Sequence, residues 1–457
     1  MPKTSLRVYV DPADVPGVDA AAREAGLSRS TWAKRVIMAA LGRRQEGPAL
    51  PSESPRAAPQ LPAAWIQDSG AGIVLLVADG IGDAPEMYND GVTPLMAAKT
   101  PNLDYLAQRG VLGLTVPIAT GITAGSVTGH LALFGYDPTT IRIGRGPIDA
   151  LGAGVDLLPG DVVLRGNFAV VQDGVVVDRR AGRLSDAEAK RHSQFLNIIL
   201  REITEVDARI FPTAGHRFVL RLRGPGLDPR ITDTDPMHEG EVIRASEPLA
   251  TDAKQTALLV NAISGIAHFT GNAPNAILLR GAGTLPRLAS FPEHYRMPAH
   301  AYALHPTYLG VTRACGMEVH PPDGYNLTVS DAAMRRHSNE FVYLHFKAPD
   351  AAGEDGNFDA KVKAIEKMDE ELRQFIAIPE FGNVLVITGD HSTPVAMKSH
   401  SWHPVPLLIA SKWTVEREVT RRFTEIACAA GELGRVQATD VMALALAHAG
   451  RLRKVDT

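Results

Sequence analysis

The chain has 457 residues, more than one ordinary domain holds, so roughly two or three domains are expected. An apolar share of 45% and a charged share of 21% are those of a globular protein, and a formal charge of −4 gives the chain as a whole no nucleic-acid footprint. Two cysteines, Cys315 and Cys428, exclude a disulfide framework and fit a reducing compartment. With no apolar run of ~18 residues and no signal-peptide core, the expectation is a cytoplasmic protein without membrane contact.

Residues 1–44 read as a unit of their own. In SLRVYV, Leu6, Val8 and Val10 alternate with Ser5, Arg7 and Tyr9, the pattern of a half-exposed strand. A helix from about Val15 to Ala25 stops at Gly26, and Ser28 or Ser30 caps a second one running through Leu41. This order resembles the ribbon-helix-helix module, in which paired N-terminal strands enter the DNA major groove; Arg7 and Tyr9 would then face DNA. A dimerisation cap without a DNA role is the other reading, so residues 4–43 imply DNA contact or homodimerisation. Residues 45–68, rich in Pro, Ala and Ser at first and without periodicity, are a linker.

Residues 69–140 open the main α/β domain. An apolar strand over 73–77 delivers Asp79, and a helix enters at Thr100-Pro101 and ends at Gly110. Gly121, Gly125 and Gly129 surround Ser126, just ahead of an apolar helical run. A serine there is either a helix cap or a nucleophile with a bare approach path, flanked by backbone N–H groups that favour an anion. Residues 141–293 change texture: short alternating strands and one amphipathic helix over 186–203, with frequent arginines, predict an inserted α+β domain. DRRAGR and AILLRGAG set arginines beside glycines in tight turns, where guanidinium forks meet carboxylate or phosphate.

Residues 294–457 return to the main domain. FVYLHFKAPD ends in Asp350, and DAAGEDG, with Gly353, reads as a loop into a helix over 358–375. The apolar run 384–387 suits a buried parallel strand and leads at once to Asp390-His391; His400 follows, then a second apolar run over 405–409. QATDVMALALAHAG reads as a capped amphipathic helix. Three apolar strands each leading to a carboxylate, with His391 and His400 beside the last, gather ligands where α/β sheets place their chemistry. A serine is a weak nucleophile at its free pKa, and a metal ion at these strand ends would activate Ser126.

The stretches VADGIGDAP, KTPNLDYLAQRGVLG, GSVTGHLALFGYDP, VDRRAGR, TDTDP, NAILLRGAG, VYLHFKAPDAAGEDG and TGDHSTP, in this order, resemble the archaeal-type cofactor-independent phosphoglycerate mutases of the alkaline phosphatase superfamily. The resemblance implies an alkaline-phosphatase-like doubly wound core with an inserted α+β domain. It also implies interconversion of 3- and 2-phosphoglycerate through a phosphoserine at Ser126. Two divalent ions are implied, manganese first, with magnesium, zinc or cobalt as alternatives. One would use Asp79, Ser126, Asp390 and His391; the other Asp350, His400 and Glu354, which stands where the family pattern D-x-x-x-H has histidine. Arg179, Arg180, Arg183, Arg217 and Arg280 are the candidates for holding the small phosphorylated acid. Pro298 and Leu309 replace family lysines, and Val127 replaces an acidic residue. These departures keep two alternatives open: a phosphatase or phosphotransferase acting on another small phosphorylated acid, and a DNA-binding regulator with a degenerate enzyme body.

Overall fold

The apolar runs at 73–78, 341–346 and 384–388 form the middle of a mixed eight-stranded sheet, with every residue of the three strands buried. The computed structural model describes residues 57–455, apart from 142, 267–273, 286, 321–323, 336–338 and 418–420. The strand-helix-helix reading of residues 4–43 therefore lies outside the described residues. Two compact units emerge, Ile143–Pro286 and Pro55–Arg142 with Arg287–Thr457.

In chain order the strands are β1 (Ile73–Ala78) and β2 (Val111–Val116), then β3 (Val162–Gln172), β4 (Val175–Asp178), β5 (Asp207–Pro212), β6 (Arg217–Arg223) and β7 (Ala276–Thr284). They are followed by β8 (Ala299–Tyr302), β9 (Glu318–His320), β10 (Phe341–Phe346), β11 (Val384–Thr388), β12 (Val405–Ala410) and β13 (Gly434–Gln437). The eight-stranded sheet runs β13-β2-β12-β11-β1-β10-β8-β9. β1 lies parallel between β10 and β11, with Ala78 level with Phe346 and Val77 level with Thr388, so the three strands end along one edge. Strands buried on both faces read as continuous apolar runs, which is why these are the most legible elements.

The sheet departs from a purely parallel doubly wound one. β12 is antiparallel to both neighbours, β11 and β2. The segment between β11 and β12 doubles back without a helical crossover, and both His391 and His400 lie on it. That return keeps the two imidazoles at the sheet edge where β1 ends.

Three local expectations need correction. Gly353 is not in a loop: Ala348–Glu354 is a helix with Pro349 in its first turn, so Asp350 is helical and not a strand end. A Cβ on Gly353 would stand 2.5 Å from the Thr393 carbonyl oxygen, so its smallness serves close packing. The helix expected over 358–375 ends at Leu372. The last helix, Val441–His448, has no side-chain cap from Asp440, and Ala443, Leu444 and Ala447 extend its apolar surface beyond the buried face.

In the other unit, β4-β3-β6-β5 form an antiparallel sheet with β7 also on β3. The helix Asp186–Ile203 begins at a capping box, Ser185 with Glu188. Its core joins Leu164, Phe168, Leu196, Leu200, Phe218 and Leu279.

Ser126 is the first residue of the helix Ser126–Leu133, with Gly125 as N-cap, so it is not the cap itself. Gly129 presses this helix onto the end of β11: an added Cβ would lie 2.4 Å from the Asp390 carbonyl oxygen. At Gly125 the added atom would meet only Thr128 Oγ1, at 3.8 Å. Gly129→Ala should therefore cost about 1–3 kcal/mol of stability, the usual range for overpacking. Gly125→Ala should cost under about 1 kcal/mol, in the lower part of the N-cap range. Denaturant melts of the two variants check the order.

Candidate active site

Four elements bring the ionisable groups of the Pro55–Arg142 and Arg287–Thr457 unit together. β1 delivers Asp79; the helix Ala348–Glu354 carries Asp350; the turn after β11 carries Asp390 and His391; His400 returns along the same connection. The three carboxylates and His391 are fully buried. His391 Nε2 is 3.3 Å from Asp79 Oδ1 and 3.3 Å from Asp390 Oδ2. Those three atoms are buried and none has a hydrogen-bond partner. His400 Nε2 is 3.5 Å from Asp350 Oδ1 and 3.5 Å from Glu354 Oε1, and its ring stacks on His391 with centroids 3.6 Å apart. Its Nδ1 lies 3.1 Å from the Ala124 carbonyl, tying the returning segment to the approach of the Ser126 helix.

Ser126 is half-buried. Near it, the Tyr308 hydroxyl donates to Asp79 Oδ2. One turn on, His130 Nδ1 donates to the Ser126 carbonyl at 2.7 Å and lies 3.3 Å from Asp390 Oδ2. The structure thus brings Asp79, Asp390 and His391 into one cluster, with Asp350, Glu354 and His400 beside it, and starts the helix of Ser126 next to them.

Sequence reasoning passed over several groups. Lys347, in the quoted HFKAPD stretch, points its ammonium between Asp79 Oδ2, at 3.1 Å, and Asp350. Tyr308 and His345 stack at 3.6 Å against Asp79, and His345 Nε2 lies 3.2 Å from its Oδ2. Burial pushes the Asp79 pKa up, but the imidazoles of His345 and His391 and the Lys347 ammonium outweigh it and hold the carboxyl well below its usual value. Burial pulls Lys347 down, and Asp79 and Asp350 more than reverse this, so it is firmly charged. Burial lowers His345, whereas at His130 the Asp390 carboxylate overcomes burial and raises the pKa. His345 lies in an apolar stretch of sequence and Tyr308 in a short uncharged one, where an aromatic residue ordinarily signals core. The one available signal was Lys347, a charge between a buried strand and a candidate ligand.

A buried lysine braces the cluster. Lys361, on the helix Phe358–Leu372, is inaccessible to solvent and donates to the Gly82 carbonyl (3.1 Å), Asp83 Oδ2 (3.1 Å) and the Thr393 carbonyl (2.8 Å). It thereby joins the segment after Asp79 to the segment after His391. Thr393 Oγ1 in turn donates to Asp350 Oδ1 at 2.6 Å.

In the Ile143–Pro286 unit the predicted arginines fall into two groups. Arg179 and Arg280 converge on buried Asp235, with Nη2 and Nη1 respectively 2.6 and 2.9 Å from Oδ2. Arg180, Arg183 and Arg217 are exposed. Arg145 and Arg165 belong with them and were not singled out: burial lowers the Arg165 pKa, and the charges of Arg280, Arg217 and Arg145 lower it further against Asp149. Arg165 Nε lies 3.2 Å from Asp149 Oδ2, so the cluster is partly compensated; guanidinium groups gathered in this way could hold an anion.

The chain matches the family model described as 2,3-bisphosphoglycerate-independent phosphoglycerate mutase over residues 107–270. A relative from Thermotoga neapolitana carrying that name is 47% identical over 387 residues, covering 84% of this chain and 95% of its own length. One from Thermus thermophilus is 42% identical, covering 85% and 97%. The chain belongs to the 2,3-bisphosphoglycerate-independent phosphoglycerate mutase family. A solved cofactor-independent phosphoglycerate mutase from Thermoplasma acidophilum aligns with TM-score 0.64 at 30% identity over 83% of this chain and all of its own. A protein from Pyrococcus horikoshii aligns with TM-score 0.72 at 29% identity over 85% of this chain and 100% of its own. The fold is of the α/β class expected and is shared with these two solved structures.

This phosphoglycerate mutase family implies divalent metal ions, and the donor set fits them. Two ligands about 2.1 Å from one ion at a tetrahedral angle lie about 3.4 Å apart, close to the separations around His391 Nε2. The unpartnered Asp79 Oδ1, Asp390 Oδ2 and His391 Nε2 are the atoms such an ion would satisfy. Asp350, His391 and His400 form a second group of compatible spacing, with Glu354 beside His400. Chelator-treated protein should melt lower than protein given manganese; a hundredfold excess over Kd corresponds to about 2.7 kcal/mol. Asp390→Asn should lose most of that gain in a thermal melt. Lys361→Met, which leaves Asp83 buried without its cation, should cost about 3–5 kcal/mol in a denaturant melt.

Proposed function

We propose that this chain interconverts 3-phosphoglycerate and 2-phosphoglycerate in the cytoplasm, with Ser126 carrying the phosphoryl group between the two hydroxyls. In the first half-reaction the Ser126 Oγ–P bond forms, the bond from phosphorus to the C3 oxygen breaks, and that oxygen takes a proton. In the second, the C2 hydroxyl attacks phosphoserine and the Ser126 oxygen leaves. No water enters, so the sum is an isomerisation.

The observation that carries this reading is the set of unpartnered ligand atoms, Asp79 Oδ1, Asp390 Oδ2 and His391 Nε2, beside the helix that Ser126 begins. His130 of that helix lies 3.3 Å from Asp390 Oδ2, and His400 Nδ1 lies 3.1 Å from the carbonyl of Ala124, two residues before Ser126. This setting supports Ser126 as the residue that would meet the phosphoryl group. Asp79, Asp390 and His391 would hold one divalent ion, and Asp350, Glu354 and His400 a second. Bound there, such ions lower the hydroxyl pKa and neutralise charge on both oxygens of an in-line displacement. Lys347, with its side chain 34% exposed, adds a cation that the departures at Pro298 and Leu309 do not remove. The arginine knot around Asp235 would hold the acid's anionic groups through bidentate contacts. Glu354 is a harder ligand than the histidine of the family pattern and favours manganese or magnesium over zinc.

A coupled mutase assay with metal add-back tests the reading. Turnover of 3-phosphoglycerate should appear with manganese and fall by on the order of 10³-fold or more in Ser126→Ala, the scale of losing a nucleophile. Release of inorganic phosphate without 2-phosphoglycerate would assign the chain to phosphatase chemistry instead. Glu354→His should move the preferred ion from manganese toward zinc or cobalt, read as activity against each metal in turn.

A further inference from the structure

Away from the strand ends, β8 and β9 carry a second cluster of donors on the outer edge of the main sheet. They pair in parallel, with His300 opposite Glu318 and Tyr302 opposite His320. Alternation along a strand puts residues two apart on one face, so His300 and Tyr302 share a face with Glu318 and His320. His300 Nδ1 lies 3.0 Å from His320 Nε2 and 3.5 Å from Glu318 Oε2, while Glu318 Oε1 lies 3.9 Å from His320 Nε2. His300 is also level with Val342 and, through it, with Val74, near the beginning of those strands, whereas Asp79 follows the end of β1.

We infer that His300, Glu318 and His320 form a separate binding site for a transition-metal ion such as zinc. Two imidazoles and a carboxylate with one side open to solvent are a donor set that zinc, nickel and copper accept and magnesium does not favour. The rings are held from behind. His300 Nε2 lies 3.5 Å from the Glu340 carboxylate, and His320 stacks flat on Tyr302, with centroids 4.4 Å apart and planes 6° from parallel. A carboxylate on the far nitrogen is the usual partner of a metal-binding histidine, since it fixes the tautomer that frees the near nitrogen. Glu318 is the exposed member and His300 the buried one, so the ion enters from the solvent side. β9 has only three residues and one neighbouring strand, and an ion bridging it to β8 fastens an edge that few hydrogen bonds hold.

A competing arrangement of the same atoms makes the inference testable. Arg335 Nη1 lies 3.4 Å from His300 Nε2 and 3.3 Å from Glu340 Oε2. If Arg335 donates to Nε2, then Nδ1 keeps its proton, donates to His320, and cannot bind an ion. The full-length chain is chelated, loaded with manganese, dialysed against micromolar zinc and assayed for zinc per chain. The expected result is one zinc more in the wild type than in His320→Gln, with manganese-supported mutase activity unchanged in the variant. Equal zinc in two folded proteins overturns the site. If His320→Gln does not fold, Glu318→Gln alters an exposed side chain and should weaken zinc retention at least roughly tenfold, as expected for losing one ligand of three; retention unchanged there overturns it too.

Discussion

Three buried carboxylates at the end of one strand pair and its neighbouring helix are the constraint to which the main unit is built. Asp79, Asp350 and Asp390 have no solvent to stabilise them, and an unpaired buried charge costs several kcal/mol. Among the described residues, one ammonium, that of Lys347, stands against them, and the imidazoles of His130, His345 and His391 supply hydrogen bonds and partial charge. This leaves an excess of negative charge and three unpartnered ligand atoms facing one point. Divalent ions bound there would resolve both, turning the cost of burial into affinity for the metal. Lys361 and Gly129 keep that geometry from relaxing. One ties together the segments after Asp79 and His391, and the other lets a helix approach the Asp390 backbone more closely than any side chain permits.

The parts of this arrangement visible in the sequence are those where composition changes abruptly. An apolar run that stops at Asp79 or at Asp390-His391 marks a buried strand and its functional end together, because a central parallel strand leaves no room for a charge until it emerges. Asp350 was legible as a candidate ligand but not in its setting. The apolar run before it ends at Phe346, and Pro349 starts a helix that no periodicity over so few residues reveals. Tyr308, His345 and His130 were invisible because aromatic rings in apolar segments are ordinarily core, and only the fold brings them to Asp79. The arginines were legible as a population, but their grouping around Asp235 depends on strand pairing between β3 and β7, more than a hundred residues apart in sequence.

The antiparallel β12 shows how a local topological choice serves the site. A helical crossover after β11 would carry the chain across the sheet face and away from its edge. The doubled-back connection instead stacks His400 on His391 and brings it to Asp350 and Glu354. The Glu354 side chain is half exposed, where a second acidic group is least costly. As a ligand it would change the hardness of the set more than it burdens the fold.

In the proposed reaction the two groups of cations would answer different demands, since the same small acid must be released and recaptured. The phosphoryl group is the fixed partner once bonded to a side chain, and charges around it must act on a species that changes bond by bond. The carboxylate of glycerate keeps its charge through both half-reactions while the hydroxyls exchange places. It is best held by planar guanidinium forks, which bind a carboxylate bidentately in either orientation of the rest of the molecule. Arg179 and Arg280, already aligned by Asp235, lose little conformational freedom on meeting an anion. Arg165 has one carboxylate, Asp149, at 3.2 Å, set against the charges of Arg280, Arg217 and Arg145. Preorganised forks beside an excess of positive charge are the arrangement an anion-binding site would need.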